Sequence, residues 1–134
     1  MEVNLGNMAA EKASNTEVQH FGKRMVTDHT KANQELTRIA ASKNATLPIA
    51  PTMMEQKEID LLGKLSGTEF DKAYMKLMVH DHKTDVKEFE KAAEKTTDPD
   101  LRAFFANTLP VLQDHLRSAE SLDATVRHEV ARNQ

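Results

Sequence analysis

The chain contains no cysteine, so disulfides, thiolate nucleophiles and cysteine-ligated zinc are all excluded. That absence fits cytosol and periplasm equally. There is no tryptophan, and aromatics make up only 4% of the 134 residues. Glycine and proline number four each, too few to punctuate a turn-rich β fold. No apolar run approaches the length that a bilayer span needs. Positive charge is not in excess either. The net charge is -3, and no basic stripe interleaved with aromatics appears, which argues against nucleic-acid binding. The chain opens Met1-Glu2-Val3-Asn4, already amphipathic, with no secretory leader ahead of it. A processed or shortened chain would look the same, so the start leaves the compartment open.

What is present is an ordinary globular composition, 39% hydrophobic and 29% charged. The length suits one domain with a single core, spanning residues 1–134 with a polar tail from about residue 128. Apolar residues recur at helical spacing throughout, which predicts an all-α fold. A first helix is expected from about Glu2 to Ala13, with Leu5, Met8 and Ala9 on one face. Ser14-Asn15-Thr16-Glu17 reads as a capping box that starts a second helix running to about Lys43. Its seam is Val18, Gly22, Met25, His29, Ala32, Leu36 and Ile39, in alternating steps of four and three. Asn44 to Pro51 holds two prolines and reads as a loop. Thr52-Met53-Met54-Glu55 caps a short helix to about Leu65, and Ser66-Gly67-Thr68-Glu69 breaks and restarts the chain. A long helix follows from about Thr68 to Lys95, with seam Met75, Val79, His82, Val86, Phe89 and Ala93. Asp98-Pro99-Asp100 is a strong start for the last helix. That helix carries Leu101, Phe105, Thr108, Leu112, His115, Ala119, Leu122 and Val126 and should kink at Pro110, freeing the carbonyl near Ala106. Beyond Arg127 the tail is expected to fray.

Three Asp-His dipeptides, Asp28-His29, Asp81-His82 and Asp114-His115, fall near the middle of three different helices. Each histidine occupies a seam position where the pattern asks for an apolar residue. His29 lies roughly 22 Å down its helix from Ser14, at 1.5 Å per residue. His82 lies near the midpoint of its own helix, so it reaches the same level whichever way that helix runs. His115 lies at the same level, with Pro110 allowing about a turn of slack. Glu2 can reach that level from the first helix. One ligand from each of four helices is how bundle cores hold metals. Buried imidazoles need partners, and a metal ion or a polar hydrogen-bond network can supply them. Three histidines and a carboxylate suit zinc by ligand type; iron, copper or nickel remain open. A shared site requires ring nitrogens roughly 3 to 4 Å apart, and rings more than about 8 Å apart would dispose of it.

The aspartates point about 100° from their own histidines, so Asp28, Asp81 and Asp114 are candidates to orient a histidine on a neighbouring helix. Asp85 is a further candidate acceptor. Their alternative role is as solvated flank charges. Met25 and Met78, four residues before His29 and His82, could favour Cu(I) but fit core filling better. Thr108 suits a bond back to its own helix. Glu17-Val18-Gln19-His20 is a lone Glu-x-x-His off the seam, where a di-iron bundle needs two such motifs. His80 should face away from the seam, and His128 lies in the tail. No nucleophile with its base, phosphate loop or paired-carboxylate site is visible.

The stretch Met25-Val26-Thr27-Asp28-His29-Thr30-Lys31-Ala32-Asn33 resembles a signature of a bacterial ferritin-like family, domain of unknown function 4142. Phe70-Asp71-Lys72-Ala73-Tyr74-Met75 followed by His82 is similar to its second signature. Thr108-Leu109-Pro110-Val111-Leu112-Gln113-Asp114-His115-Leu116 is similar to its third, and Glu2 to Gly6 to its opening pattern. The resemblance runs from Glu2 to about Leu122. It implies a ferritin-like four-helix bundle, with the short extra helix between the second and third bundle helices. It also implies export, usually to the periplasm, and no established reaction. His80 departs from the pattern.

Three functions compete. The first is a small exported bundle holding one transition-metal ion for storage, buffering or stress protection. The second is a metal-dependent hydrolase or oxidase using the same site. The third is a structural or interaction bundle with a metal-free His-Asp core. An enzyme needs an open coordination position, a cleft and positioned reacting groups. The sequence offers no general base or substrate-gripping group, which ranks the enzyme below the holder. The native metal, any substrate and the oligomeric state are not legible at this level.

Overall fold

Long amphipathic segments with few breakers fold here as helices. The structure is a computed structural model that describes residues 1–132. It contains α1 (Glu2–Lys12), α2 (Thr16–Ser42), α3 (Met53–Gly63), α4 (Gly67–Lys95) and α5 (Pro99–Arg132), with no strand among the described residues. α1 and α2 form one hairpin, and α4 and α5 form another.

Cross-helix contacts fix the directions. His29 meets His115 midway along α2 and α5, while Asn15 bonds Glu129 at one end and Lys43 pairs with Asp98 at the other. These two helices are therefore antiparallel. Ser14, just after α1, bonds Asp71 at the start of α4. α2 and α4 consequently run parallel, on opposite corners of the four long elements. A parallel pair needs a connection that returns along the whole bundle, and the loop after α2 together with α3 provides it. α3 packs on α1 and α4, and Lys12 Nζ reaches the Gly63 carbonyl at 2.5 Å.

Caps place the ends. Thr52 and Glu55 form the expected reciprocal capping box. Asp98 Oδ1 accepts from the Asp100 and Leu101 amides at 3.0 Å each. The start of α2 departs from the expected box: its cap is Asn15, accepting from Glu17 and Val18. Ser14 is already committed, because its hydroxyl donates to the buried Asp71 carboxylate at 2.5 Å. That carboxylate also accepts the Ser14 and Asn15 amides, so one acid closes the α1–α2 turn.

One further expectation needs correction. α5 does not fray after Arg127 but continues to Arg132, because Val126 is buried and Asn15 clamps Glu129 at 3.1 Å. Asn133 and Gln134 lie outside the described residues. Pro110 lies inside α5, which continues on both sides of it.

The core has two apolar layers. Leu5, Ala9, Phe21, Met25, Phe70, Tyr74, Met75 and Met78 fill one. Phe89, Phe104 and Phe105 stack edge-on in the other, with centroids 5.3 to 6.0 Å apart. Along α4 and α5 the histidines lie between these layers.

Candidate metal centre

Each of α2, α4 and α5 delivers one histidine from mid-helix to a common point. One ligand nitrogen from each of His29, His82 and His115 lies within 4.8 Å of the others. The ring centroids are 5.5, 5.5 and 5.4 Å apart. His82 and His115 are fully buried, and His29 is half-buried. The ring spacing lies inside the 8 Å limit, and the nitrogens lie within 4.8 Å of one another.

Hydrogen bonds on the outer side of two rings fix their tautomers. His82 Nδ1 lies 2.9 Å from the Met78 carbonyl, which can only accept. The proton therefore sits on Nδ1, and Nε2 carries a lone pair. His115 Nε2 lies 2.6 Å from Asp28 Oδ2, so its proton is on Nε2 and its lone pair on Nδ1. Those inward nitrogens, His82 Nε2 and His115 Nδ1, are buried without a hydrogen-bond partner, and so is His29 Nε2. A carbonyl or carboxylate behind an imidazole is the usual support of a metal-ligating histidine.

The electrostatics keep the rings neutral. Burial, opposed by the charge of Glu2, lowers His29 to about 4. Burial also lowers His82 and His115, against the Met78 carbonyl in one case and Asp28 in the other. All three rings are neutral at neutral pH, and His82 and His115 each turn a lone pair inward. His82 and His115 are poor partners for each other, since each carries its proton on the outer nitrogen. Leaving such acceptors unpaired costs about 1–3 kcal/mol each. A cation is the partner this donor set fits. A tetrahedral zinc with Zn–N bonds of about 2.0 Å needs nitrogens about 3.3 Å apart.

The acidic candidates divide. Asp28 holds His115, and Arg24 Nε lies 3.3 Å from the same oxygen. Asp114 bonds no histidine. It pairs at the surface with Arg24 at 2.5 Å and Arg117 at 3.1 Å, which hold it below the usual carboxylate range. Asp81 and Asp85 also bond no histidine. Burial first, then neighbouring acids including Glu2, pushes Asp81 up to about 6 and Asp85 up to about 7. Glu2 sits at the start of α1, 19% exposed and 3.6 Å from the Met1 amine. Its charge is felt by His29 and His82, but the group with mutual spacing under 4.8 Å contains the three histidines alone.

His20, His80 and His128 are all exposed, as is Glu17. Met25 and Met78 are completely buried, and Thr108 lines a groove between α2 and α5. Sequence reasoning did not single out the Met78 carbonyl or Arg24. A backbone acceptor leaves no trace in residue type, and the Arg24–Asp114 contact joins residues 90 apart.

Residues 1–122 match the family model described as Domain of unknown function (DUF4142). The chain belongs to that family. No curated protein and no solved structure matches it. The DUF4142 match covers Glu2, all three converging histidines, Asp28 and the whole crossover, and it ends within α5 at Leu122.

Proposed function

We propose that this chain is a ferritin-like four-helix bundle that holds one transition-metal ion at His29, His82 and His115. Glu2 is the fourth ligand, reached by a rotation of its side chain. The observation that carries this reading is the convergence of unpartnered, buried ring nitrogens. A purely structural network would pair these atoms with one another, and here His82 Nε2 and His115 Nδ1 are acceptors facing each other. Zinc is the preferred ion, since nitrogen and carboxylate ligands in a four-coordinate set suit it without redox demands. The resemblance noted above adds export to the periplasm. Among the described residues, no helix is long and apolar enough to cross a membrane. A holder for storage, buffering or stress protection is favoured over a hydrolase or oxidase. Among the described residues no nucleophile is bonded to the trio, and the one carboxylate that is, Asp28, is engaged on the outer nitrogen of His115.

Elemental analysis of protein purified without a His tag tests the proposal. About one equivalent of metal per chain is expected in the wild type and none in His82→Ala. Metal-free protein whose melting midpoint ignores both chelator and added zinc would leave the histidines as a structural network.

A further inference from the structure

A neutral His115 can carry its proton on either ring nitrogen, and the choice decides what the core is. With the proton on Nε2, the inward Nδ1 presents a lone pair, as His82 Nε2 does, and both are free for a cation. With the proton on Nδ1, the ring carries a donor on the side of the buried His82 acceptor. The two rings stand edge-on with centroids 5.4 Å apart, so two of the three histidines then satisfy each other as a metal-free network.

One bond keeps the proton outside. Asp28 Oδ2 lies 2.6 Å from His115 Nε2. The Asp28 side chain is 29% exposed, so water competes with His115 for its carboxylate. Arg24 limits that competition. It lies one helical turn before Asp28 on α2, and its Nε is 3.3 Å from the same Oδ2. Its Nη2 is 2.5 Å from Asp114 Oδ2 on α5, whose other oxygen is taken by Arg117 at 3.1 Å. One guanidinium thus joins the aspartates of two different Asp-His dipeptides across α2 and α5. A planar fork with separate donors suits that task, and a single ammonium does not. Asp28 is the neighbour of Arg24 on its own helix, so this grip outlasts the loss of Asp114. Ion pairs this exposed contribute little to stability. What Arg24 supplies is the direction of one carboxylate.

We propose that Arg24 is a positioning residue of the three-histidine centre: it holds Asp28 against His115 Nε2 and so keeps the His115 lone pair turned inward. Arg24 itself bonds no histidine of the trio. The inference deepens the metal reading above and rests on it for affinity, while the position of the proton is measured without metal.

The test compares Arg24→Gln with wild type in two readouts. Long-range proton–nitrogen correlation spectra of chelator-treated protein, at mildly alkaline pH, report the tautomer of each ring. His115 should be in the Nε2–H form in wild type, and a resolved share should move to Nδ1–H in Arg24→Gln. His82, held by the Met78 carbonyl, should stay Nδ1–H in both. Zn²⁺ affinity, by competition with a chromophoric chelator, should fall about tenfold, the lower end for loss of a contact supporting a ligand. In an Asp28→Ala background the same substitution should cost nothing further, because Arg24 acts through Asp28. Arg117→Ala, which loses a contact to Asp114 alone, should match wild type in both readouts. His115 remaining wholly Nε2–H in Arg24→Gln would overturn the proposal whatever the metal result. An equal loss of affinity with and without Asp28 would also overturn it, since Arg24 would then act by its charge alone. Wild-type protein that binds no Zn²⁺, with the tautomer still dependent on Arg24, would end the metal reading and leave the role of Arg24 on His115 standing.

Discussion

His80 and His82 are two residues apart on α4 and meet opposite fates, the first exposed and the second fully buried. Helical geometry sets that difference, since two residues turn the side chain by about 200°. A bound ion stabilises the fold by about 2.7 kcal/mol when its concentration is a hundred times Kd. His82→Ala should remove that increment and His80→Ala should keep it. Melting midpoints with zinc and with chelator measure both. A chelator-sensitive midpoint surviving in His82→Ala would take His82 out of the ligand set. Asp28 and Asp114 make a second pair. Asp28→Ala strips the acceptor from His115 and should weaken metal affinity about 10–100-fold. Asp114→Ala removes a surface ion pair and should leave affinity close to wild type, which competition with a chromophoric chelator would show. The three histidines were legible because they broke an otherwise apolar seam. Which aspartate supports which histidine was not, because the Asp28–His115 bond spans 87 residues of chain.

At the scale of elements, α1 and α2 touch through glycine. A Cβ on Gly22 would lie 2.7 Å from both the Ala9 Cβ and the Gly6 carbonyl oxygen, and one on Gly6 would lie 2.6 Å from the Gly22 oxygen. Backbone cannot yield as a flexible side chain does. Gly22→Ala should therefore push α1 off α2 and cost about 1–3 kcal/mol, despite the better helix propensity of alanine. Denaturant titration should show it, and a variant as stable as wild type would mean the helices separate freely. Much of the helix seams and three of the starts could be read from residue type and spacing alone, although the buried Phe21, Tyr74 and Phe104 lie off the expected seams. The α1–α2 turn could not. Asp71 is 2% exposed and lies in α4, yet it caps a turn 57 residues earlier. Local pattern assigns Ser14 the capping role that this distant acid takes away. The end of α5 was misread for a similar reason: its anchor, Asn15, is on another helix.

For the whole molecule, the histidine layer and its flanking acids make stability depend on pH in two opposed ways. The histidines titrate lower in the fold than in the unfolded chain. Their contribution is complete above about 6.5 and is lost as pH falls, for His29 through about 4. Asp85 runs the other way. Its ordinary value is 3.8 and the fold raises it to about 7, through burial and then the charges of Glu2 and Asp81. The folded state therefore binds that proton more tightly than the unfolded one. Asp85 costs nothing at low pH, becomes destabilising as pH rises from 3.8, and reaches its full cost above about 7. Asparagine keeps the size of the neutral acid and cannot ionise. In the presence of chelator, Asp85→Asn should match wild type at about pH 4 and exceed it by on the order of 1 kcal/mol or more at about pH 8. Paired thermal melts at the two pH values check this. An equal gain at both would mean that the substitution acts through packing, and that the charge crowding among Glu2, Asp81 and Asp85 carries no cost.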